Sequence, residues 1–312
     1  MIRILSTIPG TIFRTISPII MILSSALLLP LQSSYAQLSD TASWAATVQN
    51  SFRVIPDITY RTANNMELKV DVYVPRTSNG PAPTFIYYHG GGWVGGSKEA
   101  NILRLLPYLE QGWAVVNVQY RLGQVSLAPA AVEDSLCALQ WTAANAEQYG
   151  FDTERLVVSG NSAGGHLALT SGMLTSESGM ARQCVGATIP KVAAIVNWYG
   201  ITDVGDLLAG ENEKSYAVRW MGAMADRYEI ADRVSPMNYV TSQLPPIITI
   251  HGDADPTVPY NHAVQLHTAL DQAEVTNQLI TVPNGGHGGF PANEMLRIYD
   301  SVFKFLAQNV PE

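Results

Sequence analysis

Gly160-Asn161-Ser162-Ala163-Gly164 sets a serine between small residues. It directly follows the apolar run Arg155-Leu156-Val157-Val158-Ser159 and opens the helix-like His166-Leu167-Ala168-Leu169-Thr170. A strand, then Gly-x-Ser-x-Gly, then a helix makes a sharp turn that lifts a serine hydroxyl clear of a sheet edge. Serine is a poor nucleophile until a base takes its proton and an acid orients that base. In chains with this turn the three follow in the order Ser, Asp or Glu, His. Downstream, Ile247-Ile248-Thr249-Ile250 runs into His251-Gly252-Asp253-Ala254-Asp255-Pro256-Thr257-Val258-Pro259, a strand end and a loop. Asp253 and Asp255 compete as the acid. Asp255 is favoured because it lies deeper in the loop, framed by Pro256 and Pro259, whereas Asp253 fits a turn residue bonding its own backbone. Three histidines follow. His262 and His267 share a helical pattern with Asn261, Gln265 and Thr268 and read as exposed helix residues. His287 stands in Asn284-Gly285-Gly286-His287-Gly288-Gly289, where glycines let the backbone wrap closely, and is the expected base.

Acyl transfer builds an oxyanion, which needs preorganised N–H donors. His89-Gly90-Gly91-Gly92-Trp93 follows the apolar run Thr84-Phe85-Ile86-Tyr87-Tyr88 and presents backbone amides with no side chain in the way. The amide of Ala163, next to the serine, is the second donor. A phosphate-cradling loop is the rival reading, but the run lacks the Gly-Lys-Ser/Thr such a loop needs. His89 is expected to support the glycine loop, and His166 to pack within its helix. Trp93, Trp198, Tyr199, Tyr216 and Trp220 are candidates for an aromatic acyl or aryl pocket, Trp93 first, although large aromatics usually serve the core.

The chain has 312 residues, 47% hydrophobic and 14% charged, enough for one large α/β domain. Strand patterns fall at 52–60, 66–74, 84–88, 113–120, 156–159, 192–199, 246–250 and 278–282; in the second, Leu68, Val70, Val72 and Val74 alternate with Lys69, Asp71 and Tyr73, the period-2 pattern of a half-buried strand. Helical patterns fall at 98–111, with Ile102, Leu105, Leu106 and Leu109 on one face, and at 130–149, 162–174, 261–272 and 293–307. This alternation predicts a mostly parallel, doubly wound sheet. Residues 203–239 are helical but out of step with the alternation, and read as a small cap inserted over the site.

The first 36 residues differ. Arg3 and Arg14 are their only charges, an apolar run spans Ile19 to Leu29, and Ser34-Tyr35-Ala36 offers small residues at the right spacing for cleavage. The expectation is a signal peptide cleaved after Ala36, a secreted or periplasmic mature chain 37–312, and no stable membrane insertion after cleavage. The formal net charge of −8 disfavours nucleic acid. Cys137 and Cys184 fit either one structural disulfide or two buried free thiols.

Taken together, the four motifs around Gly91, Ser162, Asp255 and His287 resemble those of α/β-hydrolases. Within that superfamily they are similar to the hormone-sensitive-lipase-like and bacterial feruloyl-esterase-like carboxylesterases, over about residues 50–310. The resemblance implies an α/β-hydrolase fold with Ser162, Asp255 and His287 as the triad and Gly91, Gly92 and Ala163 as the oxyanion hole. Tyr199-Gly200-Ile201-Thr202-Asp203 matches the family's strand-end segment before a cap, and Gly289-Phe290-Pro291 departs mildly from its pattern. The expected activity is hydrolysis of short-chain or aryl esters, acetyl or feruloyl groups on small molecules or polysaccharides, with no metal or cofactor. Amide or peptide hydrolysis by the same triad, as in exopeptidases and formamidases, is the alternative. A hydrolase fold kept only for binding is the third reading, disfavoured because all three triad positions are intact.

Overall fold

The computed structural model describes residues 39–185 and 188–311. The expected signal segment, residues 1–36, lies outside the described residues. Among the described residues the strands are β1 Phe52–Ala63, β2 Met66–Pro75, β3 Ala82–Tyr88, β4 Ala114–Val118, β5 Phe151–Asn161, β6 Ala194–Trp198, β7 Ile247–Gly252 and β8 Asn277–Val282. They form one sheet in the order β1-β2-β4-β3-β5-β6-β7-β8. The β1–β2 and β2–β4 pairs are antiparallel, and every pair from β4–β3 to β7–β8 is parallel. Parallel strands carry helices on both faces, so their residues are buried on both sides and read as continuous apolar runs. That is why Ala114–Val118 and Ala194–Trp198, buried throughout, were legible as strands.

The helices are α1 Asp40–Ser51, α2 Leu106–Glu110, α3 Ala130–Ala144, α4 Ala146–Tyr149, α5 Ala163–Met173, α6 Ser215–Met221, α7 Arg227–Val234, α8 Asn261–Gln272 and α9 Ala292–Asn309. One core lies between the sheet and α3, α5 and α8, with α6 and α7 extending it. The other lies between the opposite face and α2 and α9, where Phe85 stacks on Tyr108 at 3.6 Å and Ile298, Val302 and Phe305 pack inward. This is the expected α/β-hydrolase architecture. Among the described residues no helix is long and apolar enough to cross a membrane.

Four local readings need correction. The alternation in β2 suggested a strand with one wet face, yet Asp71 and Tyr73 are buried too. Asp71 tolerates burial because both its oxygens accept from Lys98 Nζ, at 2.8 and 2.9 Å. The helix expected over 98–111 is a 3₁₀ turn at Lys98–Leu105, broken at Asn101, followed by α2. That turn leaves Ile102 exposed, off the apolar face its helical spacing predicts. The pattern over 130–149 is interrupted at Asn145, whose backbone leaves helical geometry. His262 and His267 are buried, because α8 turns Asn261 and Gln265 outward and the histidines toward the sheet. Of the two cysteine readings the disulfide is the one observed, Cys137–Cys184, tying α3 to the loop after α5.

Candidate active site

Ser162 sits at the junction of β5 and α5 with φ 56° and ψ −123°. A side chain there is strained, and such outliers persist only where their surroundings hold them. The surroundings here are tight. The Ser162 amide donates to Trp198 O at 2.9 Å, and its carbonyl accepts from His166 N at 3.0 Å. A Cβ added at Gly164 would run into the Tyr88 carbonyl, so the turn requires glycine at that position. Ser162 is 6% exposed, at the carboxyl end of β5.

Asp255 follows β7 and its side chain is fully buried. Its Oδ1 accepts from the amides of Thr257 and Val258 at 2.7 and 3.0 Å. Its Oδ2 lies 2.7 Å from His287 Nδ1 and 3.3 Å from His251 Nε2. Burial pushes its titration up, but the bonds from His251, His287 and the Val258 amide outweigh burial and hold the carboxyl well below the usual range. Asp253 instead accepts from Asn284 N at 2.6 Å and secures the turn that carries His287. His287, 22% exposed, lies in the loop after β8 with its ring 4.6 Å from that of Tyr199. With Nδ1 committed to Asp255, Nε2 is the nitrogen left for a reacting group. Among the described residues no hydrogen bond joins Ser162 Oγ to His287; such contacts often tighten only when substrate is bound.

The glycine loop after β3 is held from two sides. Gly90 N donates to Asn161 Oδ1 at 3.1 Å, and the same oxygen accepts from Tyr87 OH at 2.7 Å. His89 bonds the Gly90 carbonyl through Nδ1 at 2.8 Å and stacks on Tyr120, as its expected supporting part requires. Gly92 has φ 59° and faces Tyr216 so closely that no Cβ fits. Among the described residues the amides of Gly91, Gly92 and Ala163 donate to no protein acceptor.

Trp93 and Tyr199, candidates for an aromatic acyl or aryl pocket, are 0% and 1% exposed and pack inside the protein. Trp93 stacks on Trp220 of α6, and its Nε1 donates to His166 Nδ1 at 3.1 Å. His166 Nε2 in turn donates to Val234 O at 2.7 Å, at the end of α7. Tyr216 OH donates to Thr257 O at 3.0 Å, beside the Asp255 loop. The segment between β6 and β7 is thereby tied to the glycine loop, to α5 and to the Asp255 loop. Tyr199 OH accepts from Arg104 at 3.0 Å, and burial pushes the phenol up while Arg104 opposes. His262 lies apart from Asp255, accepting from Thr202 N at 3.1 Å and donating to Asp206 at 3.0 Å. Asn161, His251 and Arg104 are the residues that sequence reasoning missed. Asn161 and His251 stood inside the motifs, but their roles come from neighbouring strands and loops.

The BD-FAE family model matches residues 70–270, which include Ser162 and Asp255 and stop short of His287. The chain is 30% identical over 218 residues to Esterase LipC of Mycobacterium tuberculosis, covering 67% of this chain and 53% of that protein. It is 28% identical to an ethyl acetate hydrolase of Pseudomonas putida, covering 75% of this chain and 74% of that protein. The chain spans about half the length of LipC and of the related Esterase LipQ. Among solved structures, a truncated carbohydrate esterase from gut microbiota superposes with TM-score 0.66 at 25% identity, over 82% of this chain and 98% of that one. A propionate-bound thermophilic esterase from Thermogutta terrifontis superposes with TM-score 0.70 at 23% identity, over 84% and 97%, and shares the fold.

Proposed function

Given that the chain belongs to the BD-FAE family, we propose that it is a serine carboxylesterase acting on short-chain or aryl esters. The observation that carries the reading is the 2.7 Å bond between His287 Nδ1 and the buried Asp255 carboxylate, on the sheet edge where Ser162 is strained outward. In this reading Asp255 fixes the imidazole with Nε2 facing Ser162. Ser162 Oγ attacks the ester carbonyl as Nε2 takes its proton. The amides of Gly91, Gly92 and Ala163, free of protein acceptors, receive the oxyanion. Nε2 then protonates the departing alcohol, and a water activated by the same nitrogen releases the acid.

The slight exposure of Ser162 favours a small acyl group over a long one. The esterase, ethyl acetate hydrolase and carbohydrate esterase names of the relatives point the same way. An exported enzyme acting on acetyl or feruloyl groups of polysaccharides fits the leader-like residues 1–36, and residues 203–239 are assigned as its cap.

The test is a series of p-nitrophenyl esters from acetate to laurate, with Ser162→Ala in parallel. Activity concentrated on the short esters and abolished in the variant is the expected result. Robust, Ser162-dependent turnover of aminoacyl amides with little on esters would reverse the assignment in favour of an amidase.

A further inference from the structure

We propose that His251 is a second histidine on the acid of the site, a positioning residue that aims Asp255 at His287 and weakens its hold on the proton. The inference rests on the serine-hydrolase reading above. His251 ends β7 and is fully buried. Its Nε2 faces two acceptors, Asp255 Oδ2 at 3.3 Å and Val258 O at 3.1 Å. Neither acceptor has a hydrogen to give, since Asp255 is held ionised, so the hydrogen must be on Nε2. It is shared between the carboxylate and the carbonyl three residues further on, which closes the Asp255 loop on itself. His251 Nδ1, buried without a partner among the described residues, then presents a bare lone pair. A hydrogen there would be a buried donor with no acceptor, which sets the tautomer from the other side as well.

Asp255 Oδ2 therefore serves two imidazoles at once. A carboxylate oxygen that already accepts from His251 holds less negative charge for the His287 imidazolium. Deleting the His251 donor has two consequences. The loop loses one of the bonds that aim the carboxylate. The remaining bond from His287 strengthens and favours the protonated ring, so His287 works as a base only at higher pH. The titratable groups packed around His251 are Asp255, Tyr260 and Tyr199, with ring separations of 5.7 and 6.5 Å to the tyrosines, and His262 beyond them. None of them reaches Oδ2 of Asp255 in place of His251.

The experiment is the pH profile of kcat/KM on p-nitrophenyl acetate for the full chain and for His251→Leu, His251→Asn and His251→Gln, beside Ser162→Ala. Glutamine can return an N–H to the position of Nε2, whereas asparagine places its amide near Nδ1 and leucine has none. For His251→Leu and His251→Asn the expected result is kcat lower by about tenfold to a hundredfold, the worth of one hydrogen bond to a charged group, at nearly unchanged KM. The acid limb moves to higher pH in both. His251→Gln restores rate and limb. A folded His251→Leu or His251→Asn with wild-type rate and limb overturns the inference while leaving the serine-hydrolase reading intact. Should neither fold, a folded His251→Gln whose acid limb is displaced upward overturns it as well. Unchanged activity in Ser162→Ala overturns the underlying reading instead.

Discussion

Trp93 and Trp220 lie face to face, ring centroids 4.1 Å apart and planes 15° from parallel, and join the glycine loop to α6. One ring belongs to the loop that presents Gly91 and Gly92, the other to the segment between β6 and β7. The contact makes the position of the glycine loop depend on a helix that follows Ser162 in the chain.

Removing that contact should cost both stability and rate. Trp220→Ala is expected to lose about 3–5 kcal/mol of unfolding free energy, the usual cost of deleting a buried tryptophan. Its kcat should fall because the glycine loop is no longer braced. Trp220→Phe keeps a stacked ring and removes the indole N–H, which is buried without a partner, so it should lose far less. Urea unfolding and esterase kinetics on the two variants check this; equal losses in both would exclude stacking as the cause.

The strain at Ser162 predicts an opposition between stability and activity. Ser162→Gly removes the side chain from a backbone with φ 56°, where strain of this kind is worth about 1–3 kcal/mol. The glycine variant is expected to be inactive and more stable than the wild type by about 1 kcal/mol. Ser162→Ala, which keeps Cβ, should be inactive at nearly wild-type stability. Thermal or chemical unfolding of the pair measures the difference.

His166 predicts an acid weakness of the whole fold. Burial holds its titration down to about 4, against the opposing bond to the Val234 carbonyl. The unfolded ring takes a proton near pH 6.5, so between about 6.5 and 4 the unfolded chain binds more protons and stability falls as pH falls. The loss over that window is about 3 kcal/mol at most, fully present as stability only above it. His166→Gln should flatten that part of the slope. Urea midpoints from pH 4 to 8 decide it, and an unchanged slope would remove His166 as the cause.

The Cys137–Cys184 bond spans a sequence separation of 47 and should contribute up to about 4 kcal/mol in the chain-entropy view. Reduction, or Cys137→Ser with Cys184→Ser, is expected to lower the unfolding free energy by about 2–4 kcal/mol. Unfolding with and without reductant measures it, and intact mass rising by about two daltons on reduction verifies the bond itself.

The elements easiest to find in the sequence were those whose patterns are local. Buried strands such as Ala194–Trp198 carry their burial in their own residues, and the helix Asn261–Gln272 carries its period there, though not the burial of His262 and His267. Ser162, Asp255 and His287 were candidates because their turns and glycines are local too. What a neighbour decides was not legible. Asp71 is buried only because Lys98 meets it, and the polar alternation of β2 cannot reveal that. Asn161 works through Gly90 and Tyr87, both contributed by β3 and the loop after it. The helix α1 was missed because none of its residues is buried and its pattern therefore has no apolar face to read.

The sheet order has a consequence for how the chain matures. Ser162 comes from β5, Asp255 from the end of β7 and His287 from beyond β8, the edge strand and one of the last elements made. Parallel neighbours of this kind pair through long chain closures, which form slowly. A chain that has ordered only β3 to β6 already displays the strained serine and the glycine loop, yet lacks His287, the proposed base. Recovery of catalysis during refolding is therefore expected to follow the docking of β8, and a chain cut at the end of the family match would keep Ser162 and lose His287, the proposed base.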